Sequence, residues 1–258
     1  VWSLGLSVGL LIIIAGVVGC GSGASVAGPS SVSDIETPAP VPQLAPPPVL
    51  RGRWATGDKA ALVPPSDNIV VLTPSYAEDE PEAIARALAA RRLPVIVFAG
   101  HIYCGSPSTW PAAWASFDRY LEPFRMAGVL VGIQPLDEPL LTGYGDKVAA
   151  AHADAKARGY RVLATEWADQ VWGPYSSRRP ANTDWWAITC YPYPGTKWTS
   201  ARCGERLTDA RDVDVLAAIH GHGYDSAAWI AEATSRGKGF LVWEEDVSAS
   251  VTGFKGKP

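Results

Sequence analysis

From residue 68 onward the chain repeats one arrangement: a short run rich in β-branched residues, then a longer Ala- and Arg-rich segment, often closed by glycine. This repetition constrains the fold more than any other feature, because strands separated by crossover helices run parallel and the crossovers are right-handed. Asn68–Thr73, Pro94–Ala99, Val129–Leu136, Arg161–Thr165, Trp185–Tyr191 and Phe240–Trp243 read as strands. Glu80–Arg92 reads as a helix with Pro81 suited to its first turn. A second helix opens near Pro111, carries Trp114, Phe117, Tyr120, Leu121 and Phe124 at helical spacing, and stops at Gly128. Asp146–Arg158 and Ser226–Arg236 complete the set, each followed by glycine. The expectation is an α/β chain wound as a (β/α)8-type barrel. Two further strands are then needed. Val49–Trp54 can supply the first, and the other lies hidden within 204–222 or is missing after Ser248, so an incomplete barrel or irregular units remain open.

The first fifty residues have a different character. Leu4–Val18 carries no charge and, at about fifteen residues, is shorter than the roughly 20 needed to cross a bilayer as a helix. It reads as the apolar core of a signal peptide. Val17-Val18-Gly19-Cys20 resembles the lipobox of bacterial lipoproteins, which implies that residues 1–19 are removed and that Cys20 carries the lipid. The Lys or Arg that precedes the apolar run in that pattern is absent here. Residues 20–50 are rich in Ser, Gly and Pro and have no apolar period, so they read as a spacer, extended over Pro38–Pro48. Residues 51–258 then form the barrel domain. The implied location is outside the cytoplasm, tethered to the cell envelope, with the membrane as a partner through the lipid.

A net charge of −4 and a pI near 5.6 provide no basic face for phosphates, which argues against nucleic acid as a partner. Export permits a disulfide, and Cys190–Cys203 is the natural pair by separation, closing a loop that would contribute about 3 kcal/mol. The alternative is that Cys104, Cys190 and Cys203 all remain thiols. No CxxC spacing occurs, and His220 with His222 lacks a clear third ligand, so no metal is expected. Neither a GxGxxG after the first strand nor a GxxxxGK[ST] is present, and no cofactor is implied.

In such barrels chemistry gathers at the carboxyl ends of the strands. Those ends carry His101 and Tyr103, Asp137-Glu138-Pro139, Glu166-Trp167 and Asp169, Tyr191 and Tyr193, and Glu244-Glu245-Asp246. The chain also holds 11 tryptophans, whose flat faces suit sugar rings. Trp114 and Trp229 fall on helices and read as core, whereas Trp167, Trp172, Trp198 and Trp243 fall at strand ends or in the loops that follow.

Gly132-Ile133-Gln134-Pro135-Leu136-Asp137-Glu138-Pro139 resembles the fourth-strand end of barrel glycoside hydrolases of the cellulase-like clan, where an Asn-Glu-Pro triplet supplies the acid/base glutamate. The resemblance implies that Glu138 is the acid/base and that Asp137 stands where the family has Asn. An ionised Asp accepts hydrogen bonds but does not donate them, which sets this chain apart. Related barrel enzymes with Asp-Glu-Pro also exist. Trp243 resembles the sugar-platform tryptophan of the same clan. Glycoside cleavage needs a second carboxyl group across the bond. Glu244 is the leading candidate, with Glu245 and Glu166 in competition; the plain alternative is that these acids are solvated or paired with Arg178 and Arg179. The expected ligand-contacting residues are His101, Asp137, Glu166, Trp167, Tyr191 and Trp243. The function implied is an envelope-anchored glycoside hydrolase acting on a glycan or polysaccharide; the alternative is a catalytically silent barrel that binds glycan or serves as an envelope scaffold.

Overall fold

A computed structural model describes residues 43–74, 80–167, 179–189, 201–202, 205, 213–220 and 226–244. Eight parallel strands close into a barrel in sequence order: β1 (Arg51–Thr56), β2 (Ile69–Thr73), β3 (Val95–Phe98), β4 (Leu130–Gln134), β5 (Arg161–Trp167), β6 (Trp185–Thr189), β7 (Val215–His220) and β8 (Gly239–Glu244). Both strands left open by the sequence are therefore present. The first begins two residues later than expected, and the hidden one is β7. The barrel is complete, and its one register shift falls where β3 meets β4, between Val95 and Ile96.

Closure depends on β1 pairing with β8, with Arg51 opposite Phe240 and Trp54 opposite Trp243. Strands buried on both faces read as continuous apolar runs, and all five residues of β2 are buried. Alternate residues fill the barrel itself, where Leu50, Ile69, Val71, Ile96, Leu163 and Leu241 meet. On the same inner face Trp185 is offset by the small Ala187 and Ala217, so bulk and lack of bulk alternate across the strands.

The described helices are α1 (Pro81–Ala90), α2 (Gly100–Tyr103), α3 (Trp110–Met126), α4 (Pro139–Thr142), α5 (Val148–Ala157) and α6 (Ala227–Ser235). The aromatic stripe expected on the second long helix is the buried face of α3, which packs Trp114, Phe117, Leu121 and Phe124 against the outer face of the barrel. One carboxylate ties three helices together: Asp154 of α5 accepts from Tyr103 of α2 at 2.9 Å and from Trp114 of α3 at 2.9 Å. Arg158, the residue that caps the end of α5, donates to the same oxygen at 3.0 Å.

The glycines that punctuate the sequence turn the chain back into the sheet. Gly159 follows α5 with φ of 84°, and the next amide, Tyr160, bonds the Ala155 carbonyl at 3.1 Å. This is the left-handed helix stop that favours glycine. After α1 the same turn is made by Arg92 at φ 53°, where Leu93 bonds back to Leu88 at 2.9 Å. A side chain in that conformation costs about 1–2 kcal/mol, partly offset by the extra freedom glycine loses on folding. Arg92 is exposed, and a Cβ added at Gly159 would meet nothing within 4 Å, so backbone strain alone decides both sites. Arg92→Gly should raise stability by about 0.5–1 kcal/mol and Gly159→Ala should lower it by a similar amount, as read from urea unfolding midpoints.

Candidate active site

The polar residues of the strands collect at the carboxyl end of the inner face. Trp54 on β1, Gln134 at the end of β4, Thr165 on β5 and Thr189 at the end of β6 are among them. Gln134, Thr165 and Thr189 are each no more than 2 % exposed. Trp54, Gln134 and Thr165 form one hydrogen-bonded chain that ends on Asp137. The Trp54 indole N–H donates to Gln134 Oε1 at 2.9 Å, which turns the Gln134 amide nitrogen toward Asp137 Oδ1 at 3.0 Å and Thr165 Oγ1 at 3.1 Å. The Thr165 hydroxyl donates to the same Asp137 oxygen at 2.8 Å.

Asp137 and Glu138 follow β4 directly and sit at the barrel mouth. Asp137 keeps an exposed flank, while its Oδ1 reaches down to the two donors. Burial among the barrel atoms pushes its carboxyl above the ordinary range, opposed by those two hydrogen bonds. Glu138 adopts φ 41° and ψ 53°, the left-handed region, immediately before Pro139. This conformation is costly for a residue with a side chain and more so before proline.

The surroundings hold Glu138 in place. Its carbonyl accepts from the Thr142 amide at 2.9 Å and from the Thr142 hydroxyl at 3.0 Å. The Leu140 amide donates to Glu166 Oε1 at 3.2 Å, and the Thr189 hydroxyl donates to Glu138 Oε1. Burial, and then the neighbouring charge of Asp137, push the Glu138 carboxyl up to about 7, against the Thr189 hydrogen bond that favours its ionised form. A carboxyl with that affinity can hold a proton near neutrality and release it to a leaving group.

The other sequence-expected residues fall as follows. Trp243 lies on β8 opposite Trp54 of β1 and shares strand parity with the inward Leu241, so two half-buried tryptophans stand side by side on the wall. Glu166 follows the inward Thr165 and faces the helix side, 4 % exposed, where its Oε1 accepts from the Leu140 amide in the turn after Glu138. His101 lies on α2 with its ring edge-on to Phe117 of α3 at 4.7 Å, also on the helix side of the wall. Glu244 ends β8 opposite His220 of β7. The side chains of Glu244 and Trp167, and all of Cys20, Tyr191, Cys190, Cys203 and Glu245, lie outside the described residues. Among the described residues no group of three His, Cys, Asp or Glu side chains could hold a metal ion.

Trp54, Gln134, Thr165 and Thr189 are absent from the sequence-based set. A signal for them does exist: each is a residue able to hydrogen-bond at an inward position near the carboxyl end of a buried strand. Inward and outward positions are distinguishable only once the register is known.

No protein-family model and no curated protein sequence matches the chain. Among solved structures it is similar to a Thermomonospora fusca β-mannanase in complex with mannotriose. That match has a TM-score of 0.54 and 15% identity, covering 76% of this chain and 78% of the other. A GH18 chitinase from Flavobacterium johnsoniae matches at a TM-score of 0.49 and 10% identity, over 76% of this chain and 88% of the other. The mannanase likeness shows the fold, a TIM barrel.

The raised Glu138 carboxyl also acts on stability. The folded state binds its proton more tightly than the unfolded chain, so this group's contribution is fully present below about 4.5 and is lost as the pH rises through about 7. Glu138→Gln should therefore stabilise the fold at pH 8 by up to about 3 kcal/mol and leave it nearly unchanged at pH 4, in unfolding curves measured at both values.

Proposed function

We propose that the chain is a glycoside hydrolase in which Glu138 is the acid/base. The observation that carries this reading is a carboxyl group held by a strained turn at the mouth of a closed barrel, with its proton affinity raised to about 7. Protonated, Glu138 gives its proton to the glycosidic oxygen as the C–O bond breaks. A second, ionised carboxylate attacks the sugar carbon or activates the water that does. In a closed eight-strand barrel β8 lies across the axis from β4, so Glu244, with Glu245 in competition, is the proposed partner. Trp243 and Trp54 supply indole surface on the adjoining wall, in keeping with a glycan as substrate.

Purified protein should release reducing ends from at least one member of a panel of polysaccharides and glycans. Glu138→Gln should lower that rate by about a hundredfold or more. Because the acid must carry its proton, activity should fall as the pH rises through about 7, and the variant should lose this limb of the profile. Whichever of Glu244→Gln and Glu245→Gln abolishes turnover identifies the partner. Glycan binding without turnover, surviving all three replacements, would instead select the binding barrel.

We further propose that the domain is tethered at the cell envelope through Cys20. Metabolic labelling with radioactive palmitate in a bacterial host should mark the full chain, and Cys20→Ser should abolish the label.

A further inference from the structure

The Thr189 hydroxyl lies within hydrogen-bond reach of two oxygens: Glu138 Oε1, and the main-chain oxygen of Glu166 at 3.1 Å. Both are acceptors while Glu138 is ionised, yet a threonine hydroxyl has one hydrogen to give. Only one of the two can receive it at a time. Protonating Glu138 on Oε1 reverses that contact, since the carboxyl O–H then donates to Thr189 Oγ1. The threonine hydrogen is released to the Glu166 carbonyl.

We propose that Thr189 is a positioning residue whose hydroxyl turns with the charge of Glu138, donating to the ionised carboxylate and, when the carboxyl is protonated, to the Glu166 main-chain oxygen. The inference rests on the acid/base reading of Glu138. The heavy atoms are the same in both states, so the proton moves while the side chains stay. Thr189 suits the task because it is 2 % exposed, with no water needed to complete its bonding, and because branching at Cβ restricts its χ1. The Glu166 oxygen suits it because pairing of β5 with β6 fixes the backbone there, with Glu166 opposite Ile188. On the elements packed around Glu138, the titratable groups among the described residues are Asp137, beside it after β4, Glu166 on β5, whose carboxylate holds the Leu140 amide, and Arg161 at the opposite end of β5. From β6 the group facing Glu138 is Thr189 itself, which does not titrate. An acid/base has to lose and regain a proton within each catalytic cycle, and this arrangement leaves it hydrogen-bonded in both forms.

The test uses the full chain with glutamate carboxyl and main-chain carbonyl carbons labelled with carbon-13, followed by NMR across a pH titration; the Glu138 signal is assigned by its absence from Glu138→Gln. In the parent protein the Glu166 carbonyl signal should shift with the same midpoint as the Glu138 carboxyl. Thr189→Val removes a bond that favours the ionised form more than the neutral one, so the Glu138 midpoint should rise by about one pH unit and the Glu166 carbonyl should stop following it. Thr189→Ser should restore both behaviours. A folded Thr189→Val protein with an unmoved midpoint, or a Glu166 carbonyl indifferent to pH in the parent, overturns the proposal. Where Thr189→Val does not fold, the parent and Thr189→Ser decide it: coincident midpoints support the proposal and a silent Glu166 carbonyl overturns it. None of these readings requires turnover, so a failure to cleave any glycan would overturn the activity proposed for the chain while leaving the hydroxyl switch standing.

Discussion

The pairing of β1 with β8 is the constraint on which everything else depends. Eight parallel strands laid flat would expose two edges of unpaired amides and carbonyls, and their alternate residues would face two separate layers. Once Phe240 N–H reaches the Leu50 carbonyl at 2.8 Å and the ladder runs on to Trp54 and Trp243, one of those faces becomes a closed interior. Residues distant in sequence are thereby brought together around one axis. Trp54 and Gln134, 80 positions apart, share a hydrogen bond only because the sheet has no ends.

Within that enclosure the costs at Glu138 are met by identifiable neighbours. The left-handed backbone before Pro139 is opposed by bonds from Thr142 and, two residues along at Leu140, by the buried carboxyl group of Glu166. The same burial that makes an ionised Glu138 unfavourable gives it a useful proton affinity. Asp137 contributes from the side, and its own orientation is set by Gln134 and Thr165, so residues without contact to the Glu138 carboxyl shape its surroundings.

Much of this architecture was legible in the residues alone. The β-branched runs locate six strands because a buried parallel strand has little choice but Val, Ile and Leu. The glycines after α3, α5 and α6 give the helix stops for the reason Gly159 shows. β7 was not placed from the residues beyond the span 204–222: its Val-Leu-Ala-Ala-Ile-His carries the alanines of a helix, and the small Ala217 makes sense only at a buried position beside Thr189 on the next strand. The place of Glu138 after the carboxyl end of β4 was legible from the strand pattern. Trp54, Gln134, Thr165 and Thr189 were not, since each matters through a partner on another strand and no spacing along the chain encodes register. The facing of Glu166 was hidden for the same reason: at a strand end, one position separates a side chain that points into the barrel from one that points toward the helices.

The Asp154 cluster carries a consequence for how the domain loosens. Its three donors come from α2, α3 and α5, which flank β4 on either side in the chain. A fluctuation that opens any one of them must give up bonds belonging to the others. That sector is therefore expected to exchange its amide hydrogens as a single cooperative block. A knot of aromatic and charged groups on the outer face of the wall thus sets how that part of the domain opens.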